Sequence, residues 1–226
     1  MALPLETASA GGSPRPTRSA ELAGLSDDAF GQFIEAAGVK PGCLHHRLAD
    51  LQRIDSNQPD LHPRGVVIGN PKGNVTLVEF FDYACTYCRA SLPDIDRLLA
   101  EDKKLKIVYR ELPILSEESN LAARVSLFAA EQGKYGPFHK ALYAGGHVTK
   151  ESILAAAAAT GLDRKATEAA MNSNRYDPEI ENNLKLAQDL GASGTPTFVV
   201  GNRILNGAVG YDALKEAVSA AACPAK

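Results

Sequence analysis

The chain reads as an α/β protein whose core carries an inserted all-helical subdomain and is preceded by an N-terminal helical extension. Three observations predict this. A strand, a helix and a second strand follow one another within about 40 residues from Val75 to Leu112, the spacing of a βαβ unit with a right-handed crossover. Residues 114–190 carry only helix signals. Strand character then returns at Thr197–Val200 and Arg203–Leu205 across a Gly201-Asn202 turn, followed by a closing helix over Asp212–Ala222, so the order is βαβ, helices, ββα.

Each element has a local cause. Val66–Ile68 is a short strand ahead of the turn sequence NPKGN. VTLVEFF, Val75–Phe81, is almost continuously apolar and β-prone, as a strand buried on both faces should be. A helix is predicted from about Cys85 to Glu101, and KIVYREL, Lys106–Leu112, is the next strand. In the insertion, Ser116 caps a helix ending near Gly133, Pro137 opens a short one, and Thr149 caps an alanine-rich helix stopping at Gly161. Asp163 starts another, and Asp177-Pro178 begins a last one closing at Gly191.

Residues 1–18 are rich in Ala, Gly, Ser, Pro and Thr and read as a flexible lead-in with no visible secretory pattern. Residues 19–60 form the extension: a helix capped by Ser26 and ending at Gly38, a second with Leu44, Leu48, Leu51 and Ile54 on one face, and a proline-bearing linker. The main domain then spans 61–226, with its core at 61–113 and 191–226 and the insertion at 114–190.

Composition narrows the function. The 226 residues are 45% hydrophobic and 23% charged, with a net charge of -3, which describes a globular chain without a nucleic-acid surface. No apolar run approaches the length a membrane helix needs. There are four cysteines, too few for a disulfide framework.

Cys85-Thr86-Tyr87-Cys88 is the sharpest feature, placed where a buried strand ends and a helix begins. Cysteines at i and i+3 on a first helical turn can bridge with little strain. The N-terminal one also meets unpaired backbone N–H groups and the positive end of the helix, which stabilise a thiolate. Arg89 is positioned to add positive charge. A zinc half-site would need a second ligand pair, whereas Cys43 and Cys223 are isolated, and a c-type haem would need His where Arg89 stands. Redox chemistry is the reading that remains, with a copper- or zinc-binding thiol protein as the alternative of another class.

Further residues bear on that chemistry. Pro93, inside the helix, removes a backbone bond and is expected to kink it. Thr195-Pro196 opens a buried strand, where a cis bond would present the Thr195 backbone to an extended peptide beside the cysteines. Glu79 is a carboxylate in a buried strand; beneath the helix its raised pKa would suit proton exchange with the Cys88 thiol. Tyr83 and Tyr87 offer apolar surface near the motif for unfolded peptide.

Together VTLVEFFDYACTYC, the proline five residues after Cys88, the helical insertion and GTPTFVVGNRILNGAVGYDAL resemble the DsbA-like branch of the thioredoxin superfamily, over roughly residues 61–222. GNPKGNVTLVEFFDYACTYC and ELPILSEESNLAARVSLFAAEQGKYGPFH are most similar to its periplasmic ScsC- and Com1-like members. The resemblance implies a thioredoxin-like core and a protein disulfide oxidase or isomerase, with a dedicated thiol reductant as the other redox possibility. It makes Cys85 the attacking, exposed cysteine, Cys88 the buried resolving one, Glu79 their acidic partner and Thr195-Pro196 a cis-proline pair facing them. Thr86 departs from the proline common at that position, so the redox poise does not carry over. Implied too are a periplasmic home, unfolded or misoxidised protein substrates, a membrane redox partner that resets the cysteines, and no metal or organic cofactor. Relatives can oligomerise through N-terminal helices; here residues 19–56 hold barely one heptad per helix, which favours docking on the chain's own core over a coiled coil. In an oxidising compartment Cys43 and Cys223 can pair, a closure worth about 5 kcal/mol in the chain-entropy model. The alternative is a soft-metal site of Cys43 with His45 and His46.

Overall fold

The computed structural model describes residues 65–201 and 203–222. The lead-in, both predicted extension helices, the linker, Cys43, His45, His46, Asn202 and Cys223 lie outside them.

VTLVEFF forms strand β2, Val75–Phe81, and its burial decides the rest of the sheet: apart from Thr76, every residue is buried. A strand covered on both faces needs a neighbour on each edge. One neighbour is β3, Leu105–Glu111, which runs parallel to it from Val75↔Leu105 to Phe81↔Glu111. The other is β4, Thr197–Val200, which is antiparallel and sets Phe198 opposite Glu79. Outside these lie β1, Val66–Gly69, antiparallel to β3, and β5, Arg203–Asn206, antiparallel to β4. The sheet order is β1-β3-β2-β4-β5. β1 therefore does not pair with β2, its neighbour in sequence, because the parallel crossover has taken that edge for β3. The edge strands β1 and β5 alternate half-buried with exposed residues, whereas β4 is wholly buried.

The crossover helix α1 spans Thr86–Glu101 and buries Cys88, Ser91, Ile95 and Leu98, a stripe of helical period. Pro93 lies within it on the exposed side and the helix runs on unbroken, so the missing N–H is spent on the solvent face. The insertion supplies α2 (Glu117–Glu131), α3 (Tyr135–Ala144), α4 (Lys150–Ala159), α5 (Arg164–Met171) and α6 (Asp177–Asp189), and α7 (Tyr211–Ala221) closes the chain. The caps fall where the sequence places them. Ser116 accepts from the Ser119 amide, Thr149 and Ser152 form a reciprocal capping box, and Asp163 accepts from the Ala166 amide.

Two cores result. One face of the sheet packs Leu77, Phe81, Ile107 and Tyr109 against α1, α7 and the first insertion helices through Ile95, Leu214, Val125 and Phe138. On the other face Val78, Phe80, Val108 and Val199 meet Leu184 and Ala187 of α6. α6 thus packs on the sheet itself, which its place in the helical block did not announce. Its docking includes a buried ion pair: Arg110 Nη1 lies 3.7 Å from Glu179 Oε1, with both side chains under 10% exposed, and donates to Asn183 Oδ1 at 2.9 Å. Glu179 Oε1 also accepts from the Gly65 amide at 3.1 Å.

Breaking such a pair strands a charge in the interior. Arg110→Ala is expected to lower stability by about 3–5 kcal/mol in denaturant titration, while Arg110→Met with Glu179→Leu costs much less. Equal losses in the two variants would show that the docking does not depend on the pair.

Candidate active site

Strand β2 ends at Phe81, and three residues later the chain is already at the mouth of α1. Cys85 is the N-cap of that helix, in extended conformation, and its sulfur accepts the Cys88 amide at 3.2 Å. Ser, Thr, Asp or Asn usually takes this position; here a sulfur meets the unpaired amides and the positive helix end. The Cys85 amide donates to the Asp82 carbonyl at 3.0 Å, which closes the turn. On the other side the Cys85 thiol donates to the Thr195 carbonyl at 3.3 Å, and the Thr195-Pro196 bond is cis. Both cysteines are free thiols.

Their electrostatics diverge. The Cys85 pKa is lowered to about 6, chiefly by the hydrogen bond from the Cys88 thiol. Partial burial opposes this, while Thr195 and the backbone amides of Cys88 and Tyr87 assist it. Cys88 moves the other way, raised first by burial, then by its hydrogen bond to Cys85 and by the nearby Glu79. Glu79 is 2% exposed, its carboxyl pushed well up by burial and then by the charge of Cys85. Its Oε2 finds no hydrogen-bond partner.

The structure thus brings Cys85, Cys88 and Thr195-Pro196 together and sets Glu79 within electrostatic reach of the cysteines. Two expectations need correction. Cys85 is not exposed: at 4% it is nearly as covered as Cys88 at 1%, because the Thr195 carbonyl lies against its sulfur. Burial still weighs more heavily on Cys88, where it is the first cause of the shift, than on Cys85, where hydrogen bonds outweigh it. Tyr83 does not face a peptide; it is buried and shares contacts of 3.0 Å with Ser126 Oγ and His139 Nδ1. Its position continues the inward alternation of Phe81, and only Tyr87 is exposed, at 66%. The Arg89 guanidinium donates to the Gly146 carbonyl.

Other buried groups escaped the sequence. Asp82 is 1% exposed, and its carboxylate accepts from the amides of Ala84, Ile114 and Leu115 and from Ser119 Oγ. Next to it, Glu111 accepts from Ser126, which in turn accepts from the Tyr83 hydroxyl, and that hydroxyl also contacts His139. His139 is held down to about 3 by burial and then by Lys140, so its ring is neutral. The signal for Asp82 was an acid directly after a buried strand; His139 gave none, being one histidine in a helix. Among the described residues no three His, Cys, Asp or Glu side chains are grouped to hold a metal ion.

A dithiol at a helix N-terminus, facing a cis X-Pro bond across a mixed sheet, defines a thiol–disulfide exchange site of the thioredoxin type. Residues 76–219 match the DSBA-like thioredoxin domain, and the chain belongs to that family. A thioredoxin-like oxidoreductase from Silicibacter pomeroyi is similar in structure, with 42% identity and a TM-score of 0.67 over 70% of this chain and 92% of that one. The catalytic domain of Proteus mirabilis ScsC gives 26% identity and a TM-score of 0.65, over 77% and 96%. Among curated proteins, the Na(+)/H(+) antiporter NhaA of Herminiimonas arsenicoxydans is 34% identical over 170 residues, covering 74% of this chain and 27% of the antiporter. The chain therefore spans about a quarter of the length of the curated relatives it matches first.

Two pH dependences follow. In the reduced protein, alkylation of Cys85 rises with a midpoint near pH 6, and Cys88 stays unreactive until the chain unfolds; a midpoint near 9, the ordinary thiol value, would refute the thiolate. Glu79, raised above its unfolded value of 4.5, costs stability above that pH, where the unfolded carboxyl ionises and the folded one does not. Glu79→Gln should match the wild type at pH 4 in thermal melts and become progressively more stable than it as pH rises.

Proposed function

We propose that the chain exchanges disulfides with protein substrates through Cys85 and Cys88, chiefly as a disulfide donor and, when reduced, as an isomerase. The observation that carries this is the Cys85 sulfur at the cap of α1, 3.2 Å from the Cys88 amide and 3.3 Å from the Thr195 carbonyl, with the Cys88 thiol buried behind it.

In the donor direction a substrate thiolate attacks Cys85 Sγ and the Cys85–Cys88 bond breaks. The leaving Cys88 sulfur takes a proton from the neutral Glu79 carboxyl. A second substrate thiolate then attacks the substrate sulfur of the mixed disulfide. Cys85 departs as a stabilised thiolate, leaving a substrate disulfide and a reduced enzyme. For isomerisation the same thiolate attacks a wrong substrate disulfide, and the substrate rearranges before releasing Cys85. The Thr195 carbonyl, 3.3 Å from the Cys85 sulfur, is placed to meet the backbone of a bound extended segment. Exposed Tyr87, Ile114 and Leu115 suit a broad range of unfolded chains.

Reduced enzyme must be reoxidised, and the family's use of a membrane redox partner supports that route here, as it supports a periplasmic setting. The chemistry needs no metal or organic cofactor.

Cys85→Ser should reduce oxidation of an unfolded, reduced test protein to the uncatalysed rate. Cys88→Ser should accumulate mixed disulfides with it through Cys85, visible on a non-reducing gel. Glu79→Gln should slow exchange by about 10²-fold. Failure of Cys88→Ser to trap any substrate would remove the proposed mechanism.

A further inference from the structure

We propose that Asp82 is a positioning residue for the dithiol, holding the turn that carries Cys85 and tying it to α2, to α3 and to the Ile114–Leu115 segment. This rests on the thiol exchange function assigned to Cys85 and Cys88.

The geometry is unusual for a buried carboxylate. Oδ1 accepts from the Ala84 amide at 2.7 Å and from Ser119 Oγ at 2.6 Å. Oδ2 accepts from the Ile114 and Leu115 amides at 2.8 and 2.9 Å. All four partners are donors, and only an ionised carboxylate, which is acceptor-only, satisfies them together. The backbone of the same residue adds two more anchors: its carbonyl accepts the Cys85 amide and the Tyr143 hydroxyl, each at 3.0 Å. Asp82 thus binds the cap residue and the one before it, the Ile114–Leu115 segment, the first turn of α2 through Ser119, and α3 through Tyr143.

Burying a carboxylate costs several kcal/mol before its contacts are counted, and fastening one loop would need one or two bonds. Six bonds from four segments, two of them to Ala84 and Cys85, indicate that the held feature is the cap geometry itself. The Cys85 sulfur receives the Cys88 amide and touches the Thr195 carbonyl only if the turn before it is fixed. The same carboxylate sets the Ile114–Leu115 segment beside that turn, although both residues are about half exposed.

Asparagine cannot replace this acid, because its NH2 must face a donor. Turned toward Ala84 it loses the redox turn; turned the other way it loses the Ile114 and Leu115 amides. Ser119→Ala is the control, since it removes one bond from the same oxygen and leaves the Ala84 amide in place. Asp82→Asn should raise the midpoint of Cys85 alkylation by at least one pH unit. It should also weaken the preference for the reduced dithiol about tenfold against glutathione, about 30 mV. Ser119→Ala should lower the melting temperature and move neither quantity. Tyr143→Phe frees the Asp82 carbonyl from α3 without changing a charge and should raise the midpoint in the same direction. It decides the matter if Asp82→Asn does not fold. A wild-type midpoint near pH 6 with unchanged midpoints in Asp82→Asn and Tyr143→Phe would overturn the assignment of Asp82 alone. So would shifts in all three variants that merely follow lost stability. A wild-type Cys85 without reactivity would instead overturn the function on which it rests.

Discussion

The sulfur of Cys85 doubles as the cap of a helix, and the organisation of the molecule follows from that placement. A helix N-terminus leaves amides without partners, and an anion there is stabilised by them and by the aligned peptide dipoles. To use this, the protein must deliver a cysteine to the first turn with little freedom. The buried strand β2 does so by ending three residues short of the cap. The sheet order brings β4 alongside β2, so that Thr195, just ahead of β4, meets the same sulfur from the far side.

Stabilising one thiolate is useful only if its partner is not stabilised as well. Cys88 is one helical turn deeper, in apolar surroundings, where burial and the nearby Glu79 carboxyl outweigh the one backbone hydrogen bond it takes from Asp82. Burial therefore separates two identical side chains into a good leaving group and a poor one. The cost falls on Glu79, a carboxyl held neutral with an unpartnered oxygen. Titratable groups kept apart in this way are characteristic of functional sites. The helical insertion contributes as much as the sheet: α2 and α3 send Ser119, Ser126, His139 and Tyr143 under the redox turn, so the insertion is wired into the site by buried hydrogen bonds.

Much of this was legible in the sequence, for physical reasons that differ by element. The caps at Ser116, Thr149 and Asp163 were readable because a polar side chain before an apolar repeat acts locally. VTLVEFF was readable as a central strand because double burial forbids alternation. Cys85, Cys88, Glu79 and Thr195-Pro196 stood out as residue types costly or unexpected where they occur. What stayed hidden depends on distant packing. Nothing local tells that β3 rather than β2 pairs with β1, or that α6 leaves the insertion to cover the sheet with Glu179 and Asn183. Tyr83 was misplaced because proximity in sequence to the cysteines says little about which way a side chain turns. The role of Asp82 depends on donors from Ile114, Leu115 and Ser119, more than 30 residues away, which no local pattern reveals.

The potential of the Cys85–Cys88 couple against pH tests the central claim most directly. It is read by equilibrating the chain, with Cys43→Ser and Cys223→Ser, in glutathione buffers between about pH 5 and 8. If reduced Cys85 is a thiolate, reduction takes up two protons below its pKa and one above. The potential should then lie above that of glutathione and fall by about 60 mV per pH unit below pH 6 and about 30 mV above it. A slope of about 60 mV per unit through pH 8, with a potential below glutathione, would mean that both thiols stay protonated and that the cap does not activate Cys85.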